Sequence, residues 1–487
     1  MSLSAVEVKL DMSIQGLNPD VVTGLPLIMG TCKDGTVGVL QSVDTYGAFK
    51  STLGSGPLVD AVVDHFAVYK GLTPYALAYS LPKQDNGTVG TAVVDKTGLA
   101  VAAFGTACEM NAEVYIECVK GGGDGVAKVN VSLDGGESWR MVNKTVVDVT
   151  DIGIPDAGLT CQFDFTAGDM DLGDSWTVKL SQPAVSLTEV MTAIQGVHDL
   201  GYRPEYIVLC FPIDKTDAQS LHAYAVQRWA QNDPTLFAAQ YADPTSRSSA
   251  DIQTWVNGFT AEWDGWESVY NLIATLYARV AESSGEKRWR MSLGSLSGHT
   301  STAQVNQSIG ARRHFSMPHL TLPDAYLDAH ANDLSNARAT CLVNRPGKKI
   351  PVIDKGLTMA AENSIYRRWE VMRTAGKIVR LAFAAAEPWV EDEAWAASSK
   401  SGMAPADDVG VGGVVKSIKD NLDVMKYKLP SAEIDDYNVE VPEGQALHGP
   451  DGVLILIDAK LKPNMEKIRI GLTVGYALLE TELLQAA

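Results

Sequence analysis

From "DNGTVGTAVVD" to "GDSWTVKLSQP" the chain changes texture. Gly, Val, Thr and Asp dominate there, in short runs such as "EVYIECV", "KVNVSL", "LTCQFDF" and "DSWTVKL". Each run alternates apolar and polar residues, which turns one face of a strand inward. The clusters between them, "DGGES" and "AGDMDLGD", are turn chemistry. Strands so short and so regularly spaced fit a small β-sandwich and cannot supply a helix. On both flanks the pattern differs. "GLPLIMGTC" reads as a buried strand and "GPLVDAVVDHFAVYKG" as a helix, with Leu58, Val62, Phe66 and Tyr69 at helical spacing and Pro57 in the first turn. "SLTEVMTAIQGVHDLGYRPEYIVLCFP" reads as helix, loop and buried strand. The predicted fold class is therefore α+β and multidomain. An α/β core of residues 24–85 and 184–430 is interrupted by an all-β module at 86–183, and a C-terminal β unit follows at 431–487.

At 487 residues the chain is long enough for several domains, and 46% hydrophobic against 20% charged residues suits a folded chain with ample core. There are 59 acidic and 40 basic residues, a net charge of -19. That balance argues against nucleic acid and against an anionic membrane as partners. No run of about 18 apolar residues offers a membrane span, and "MSLSAVEVKLDMSIQ" lacks a secretory signal pattern. The six cysteines are scattered, without CxxC, among apolar or small residues, as reduced buried thiols would be. A disulfide between Cys108 and Cys118 is the alternative, should they fall on neighbouring strands.

The ends are extended. Residues 1–23 alternate weakly at Val6, Val8 and Leu10 and read as an arm with too little apolar content to bury itself. Near the C-terminus Ile468, Ile470, Leu472, Val474, Tyr476 and Leu478 alternate with polar or small residues, a strand pattern where chain ends usually fray. From about Pro212 to about Met425 helices are expected to dominate, with few strands. "TDAQSLHAYAVQRWAQ" and "WESVYNLIATLYARVAES" both read as amphipathic helices. "NSIYRRWEVMRTAGKIVRLAFAAAEPWV" is a long helix stopped or kinked at Pro388. "SSKSGMAPADDVGVGG" is a loop or hinge.

Catalytic motifs fail on their context. His314, His319 and His330 with Asp324 and Asp328 could suggest a metal, but Pro318 prevents a shared helix face and HExxH is absent. Carboxylates beside tryptophans in "TAEWDGWESVY" and "EPWVEDEAW" resemble a sugar site, but they read rather as a turn before a helix and as a solvated helix face at Glu391, Asp392 and Glu393. "VKGGGDGVAK" and "GVGGVVKS" lack the Gly-Lys-Ser/Thr of a P-loop. Gly294-Ser295-Leu296-Ser297-Gly298 matches GxSxG, but "KRWRMSLG" before it is not a convincing buried strand, so the match is taken as chance. No enzyme, cofactor or metal is expected. A basic stripe, Arg367, Arg368, Arg373, Lys377 and Arg380, stands out in an acidic chain. It has two readings, intrachain ion pairs or a contact with an acidic face of a neighbouring subunit.

Three stretches resemble the tail sheath proteins of contractile phage tails, nearest the Mu-like sheaths, and of related bacterial injection particles. They are the order arm, "TGLPLIMGTC", "SVDTYGAFKSTLGSGPLVDAVVDHFAVYKG", "PYALAYSL"; the long arginine-bearing helix; and the closing unit "GVLILIDAKLKPNMEKIRIGLTV". Phe49 is followed by Lys50 where that family commonly has Gly, and the β module lies outside the shared core. The resemblance implies a non-catalytic subunit of a virion tail, assembled in a bacterial cytoplasm. Copies would form six-fold rings stacked helically around a tail tube protein, with baseplate and tail terminator proteins at the ends. It implies terminal arms that add strands to neighbours. Val6, Val8, Leu10, Ile468, Ile470, Leu472 and Val474 are then the expected subunit contacts, with Arg367, Arg368 and Arg373 as further candidates. The rival reading is a secreted carbohydrate-active enzyme or adhesin whose β module binds a ligand.

Overall fold

The computed structural model describes residues 9–10, 24–43, 45–69, 76–154, 156–282, 285, 287–311, 315–345, 347, 349–389, 411–428, 432–442, 453–461 and 467–474. Val6 and Val8, with Tyr476 and Leu478, lie outside them, as do His314, Glu391, Asp392 and Glu393.

The fold is mixed α/β. Its backbone is a nine-stranded sheet in the order Lys9–Leu10, Val39–Val43, Ala76–Ser80, Pro26–Gly30, Tyr206–Pro212, Phe237–Gln240, Asn271–Thr275, Thr340–Asn344, Pro351–Ile353. The six strands from Ala76–Ser80 to Thr340–Asn344 run parallel. Parallel strands covered on both faces read as continuous apolar runs, and "PLIMG", "ALAYS" and "NLIAT" are buried at every position. Helices Pro57–Val68, Leu187–Asp199, Lys215–Ala230, Ser249–Trp263, Leu293–Thr302 and Asp328–Asn336 supply the crossovers and cover. The helix Lys215–Ala230 opens on a reciprocal cap, in which Asp214 accepts from the Asp217 N–H at 2.8 Å.

Two expectations fail here. "WESVYNLIATLYARVAES" is not a helix but two strands, Asn271–Thr275 and Tyr277–Ala281. An apolar run buried on both faces has no period, so helix and strand cannot be told apart by it. The weakly apolar "KRWRM" is a strand, Lys287–Met291, paired antiparallel with Tyr277–Ala281. Strands are accordingly frequent after Pro212, against the helical dominance expected there.

Residues between Thr88 and Ser181 form a six-stranded sheet, with all its pairings antiparallel, and a three-stranded one. These enclose a hydrophobic cluster separate from the main core, centred on Trp176 and Phe163 edge-to-face at 5.0 Å. The chain enters from the strand Ala76–Ser80 and leaves into the helix Leu187–Asp199, and the two connections touch where Gln84 N donates to Ala184 O at 3.0 Å.

The third part is a three-stranded antiparallel sheet, Ile434–Glu440, Val453–Leu461 and Lys467–Val474. It adjoins the helices Trp369–Ala386 and Val411–Lys426. The first of these ends at Ala386 with a 3-10 turn Glu387–Trp389 around Pro388, the stop expected there. The loop or hinge expected at "SSKSGMAPADDVGVGG" lies outside the described residues up to Gly410, and Val411, Gly412 and Gly413 already belong to the second helix.

Candidate assembly surfaces

Strand Lys467–Val474 pairs along its whole length with Val453–Leu461, from Lys467 opposite Lys460 to Val474 opposite Val453. Ile468, Ile470 and Leu472 stand opposite Ala459, Ile457 and Ile455, and those three are buried. No partner lies on its other edge among the described residues. An edge strand with free N–H and C=O groups is a template for another strand. At the other terminus Lys9 and Leu10 run parallel to Val39 and Leu40 at the rim of the nine-stranded sheet.

The basic stripe divides. Arg367 and Arg368 are half-buried at the start of the long helix, and Arg367 donates to Ser335 O at 3.2 Å. Arg373 is 1% exposed and ion-paired to Glu205, which is also buried. It is spent inside the chain, so the intrachain reading describes it and the expected contact with a neighbour does not. The pair holds the Glu205 carboxyl below its usual range although burial alone would raise it. Lys377 bonds Glu433 at 2.5 Å, and Arg380 donates to the carbonyls of Arg203, Pro204 and Pro234 at 3.2, 2.7 and 2.6 Å. Burial pushes the Arg380 guanidinium down to about 10.

A second charged constellation was not legible. Asp60 and Asp64, on the helix Pro57–Val68, meet Arg288 and Arg290, on the strand Lys287–Met291, with Glu282 beside them. All four Asp and Arg side chains are buried, which mutual pairing makes tolerable. From the same hairpin Arg279 reaches Asp134 at 2.9 Å and Glu137 at 3.0 Å, and Trp289 Nε1 donates to Glu137 at 3.0 Å. Arg247 pairs with Glu113, Asn111 donates to Asp243 at 3.0 Å, and the Lys179 ammonium donates to Pro244 O at 2.7 Å. This seam joins the β-rich residues 88–181 to that hairpin and to residues 243–247 beside the main sheet. Its cavity, about 20 Å³ and lined by Asp60, Asn111, Gln182, Cys210, Gln240 and Arg290, has room for a water.

The GxSxG match has a packing explanation. Its two glycines let the helix Leu293–Thr302 meet the helix Pro57–Val68 at backbone distance. A Cβ on Gly294 would sit 2.0 Å from Ala61 O, and one on Gly298 2.3 Å from His65 O. Ser295 Oγ does lie 3.0 Å from His319 Nε2, but the serine is 0% exposed and also bonds Ser292, so an electrophile has no approach to it. His330 accepts from Leu327 N–H at 3.1 Å and bonds Gln253 at 3.1 Å, and no metal-holding group of His, Cys, Asp or Glu occurs among the described residues. Trp263 and Trp266 are core residues 5.5 Å apart around the Gly265 turn. All six cysteines are free and buried, Cys108 and Cys118 included.

Residues 3–348 match the family model "DUF2586, N-terminal domain", more than half of the chain, and the chain belongs to that family. No curated protein matches it. Among solved structures it is similar to the sheath tail protein of Desulfitobacterium hafniense, at 13% identity over 93% of this chain and 97% of that one, TM-score 0.49. It is similar to the sheath tail protein of Listeria innocua, at 11% identity over 92% and 94%, TM-score 0.49. The helical sheath of the anti-feeding prophage in its contracted state is similar at 11% identity over 96% and 98%, TM-score 0.47.

Proposed function

We propose that the chain is a structural subunit of a contractile tail sheath of the Mu-like kind, working by assembly rather than catalysis. Copies polymerise as six-fold rings stacked helically around a tail tube protein, between a baseplate and a tail terminator. The same patch pairing repeated with a rise cannot close, so it propagates as a tube. Contraction is a largely rigid-body change between two packings, with terminal strands as tethers that keep partners at high effective concentration. Residues 86–183 are then a module inserted in the sheath core. Val6, Val8 and Leu10 belong to the N-terminal arm and Ile468, Ile470, Leu472 and Val474 to the C-terminal one.

The observation that carries this reading is the edge of the strand Lys467–Val474, unpaired among the described residues and the last described element. A strand so placed gains affinity through backbone hydrogen bonds when a neighbour's strand is added. The test is truncation after Lys467. The shortened chain is expected to fold, with circular dichroism close to that of the full chain, but to give no tubes by negative-stain electron microscopy. Normal tubes would overturn the arm reading, and an unfolded product would assign the tail to its own core.

One observation favours the rival adhesin reading. Trp139 is 38% exposed and lies 5.9 Å from Tyr115, an aromatic pair at the surface of the β-rich part. A glycan array read with wild type and Trp139→Ala tests it, since binding lost in the variant would support an adhesin.

A further inference from the structure

Arg373 and Lys377 are four residues apart on the helix Trp369–Ala386, about 6 Å along its axis and on one face. Each is tied to the root of a different end of the chain. Glu205, held by Arg373, also accepts the N–H of Gly24, two residues before the strand Pro26–Gly30, and this is the N-terminal root. Gly24 has φ +87°, and a Cβ there would come 3.0 Å from Ser301 O, so both the backbone angle and the space favour glycine. Glu433, held by Lys377, immediately precedes the strand Ile434–Glu440 that opens the C-terminal sheet, and its N–H donates to Met425 O at 2.7 Å. Neighbouring Ala432 O accepts from Asn306 at 3.2 Å, close in sequence to Ala303 and Gln304, whose carbonyls accept from Arg373 at 3.4 Å. The two anchors share a field as well, because Glu205 acts on Lys377 alongside Glu433.

We propose that this helix is a common post for both ends, with Glu205–Arg373 and Lys377–Glu433 as positioning pairs through which a displacement at one terminal root is transmitted to the other. What this does for assembly rests on the reading of both termini as arms, but the coupling itself does not. A coupling free energy between two sites is reciprocal, so loosening either root must loosen the other. In a sheath, the strand lent at one end would then report on the strand received at the other.

The test is hydrogen–deuterium exchange on the full chain. Lys377→Met is the first variant, because Glu433 keeps Lys428 as a partner and the fold is retained. Exchange is expected to rise about tenfold at 432–440 and also, by several-fold, at Gly24 and Leu25. Strand Ala112–Lys120, remote from the helix, serves as the control and should not change. Lys377→Arg should restore both roots. Arg373→Lys, which keeps charge but loses the guanidinium fork, should loosen 24–25 and, reciprocally, 432–440. A rise confined to 432–440 in the first variant, or a rise of equal size in the control strand, would overturn the proposal. Tube formation by wild type is scored separately. Its absence would count against the sheath reading and leave the coupling result standing.

Discussion

Asp243 carries a pH signature. One carboxylate oxygen accepts from Asn111, and the other is buried without a hydrogen-bond partner. Burial pushes its carboxyl up to about 6, and Lys179, Arg290 and the Asn111 bond only partly offset that. Tyr277 also faces it. A folded value above the unfolded one means the folded state holds the proton more firmly. Between pH about 6 and about 4, then, this group adds stability as pH falls, and at pH 7 it is charged at a cost. Two units correspond to about 3 kcal/mol at most. Asp243→Asn is expected to flatten the stability profile over that window and to raise the urea midpoint at pH 7. Urea titrations at pH 4.5 and 7.0 check this, and an unchanged profile would remove Asp243 as its source. Glu282 works in the opposite sense. Arg290, Arg288 and Lys50 outweigh its burial and bring it from 4.5 down to about 2, so its stabilisation is full above about pH 5 and is lost progressively as pH falls from there through about 2.

Among the elements, the hairpin of Tyr277–Ala281 and Lys287–Met291 shows best what a sequence can and cannot reveal. Arg288 and Arg290 made "KRWRM" look like surface, because charge ordinarily marks exposure. Their partners Asp60 and Asp64 lie more than two hundred residues away, on a helix read correctly from Leu58, Val62 and Phe66. Local period is visible in sequence, whereas long-range pairing is not. The same holds for the candidate contacts. The stripe of Arg373, Lys377 and Arg380 was legible as a pattern, but Glu205 and Glu433, which turn it inward, are separated from it by up to 168 residues. The β runs between 112 and 181 were legible because their alternation is local. Asp64 accepts from Arg290 at 2.6 and 2.8 Å and from Ser292 at 2.8 Å. Removing one member of such a buried pair leaves the other charge unpaired, at about 3–5 kcal/mol. Asp64→Asn should lower stability by that amount in guanidinium unfolding. A loss below about 1 kcal/mol would mean that Asp60 and Glu282 suffice for Arg290.

At the scale of the molecule, the proposed insertion makes a sharp demand, that the main sheet should fold without residues 86–183. Geometry favours this. The entering and leaving connections are already hydrogen-bonded at Gln84 and Ala184, so a short Gly-Ser linker can close the gap. The excised part takes its own hydrophobic cluster with it. What the remainder loses is the seam, chiefly Asp134, Glu137 and Glu113 from Arg279 and Arg247. Those arginines are partly exposed and become solvated, while Arg288 and Arg290 keep Asp60, Asp64 and Glu282. The truncated core is therefore expected to unfold cooperatively, with a melting temperature lowered by about 5 °C or less, and still to form tubes. The isolated 86–183 fragment should melt on its own. A core that emerges unfolded, or a fragment without a cooperative transition, would show that the two clusters fold as one unit. The exposed Val93, Leu99, Val101, Val149 and Leu172 would then belong to a single body, not to a module that can be exchanged without disturbing the sheet beneath it.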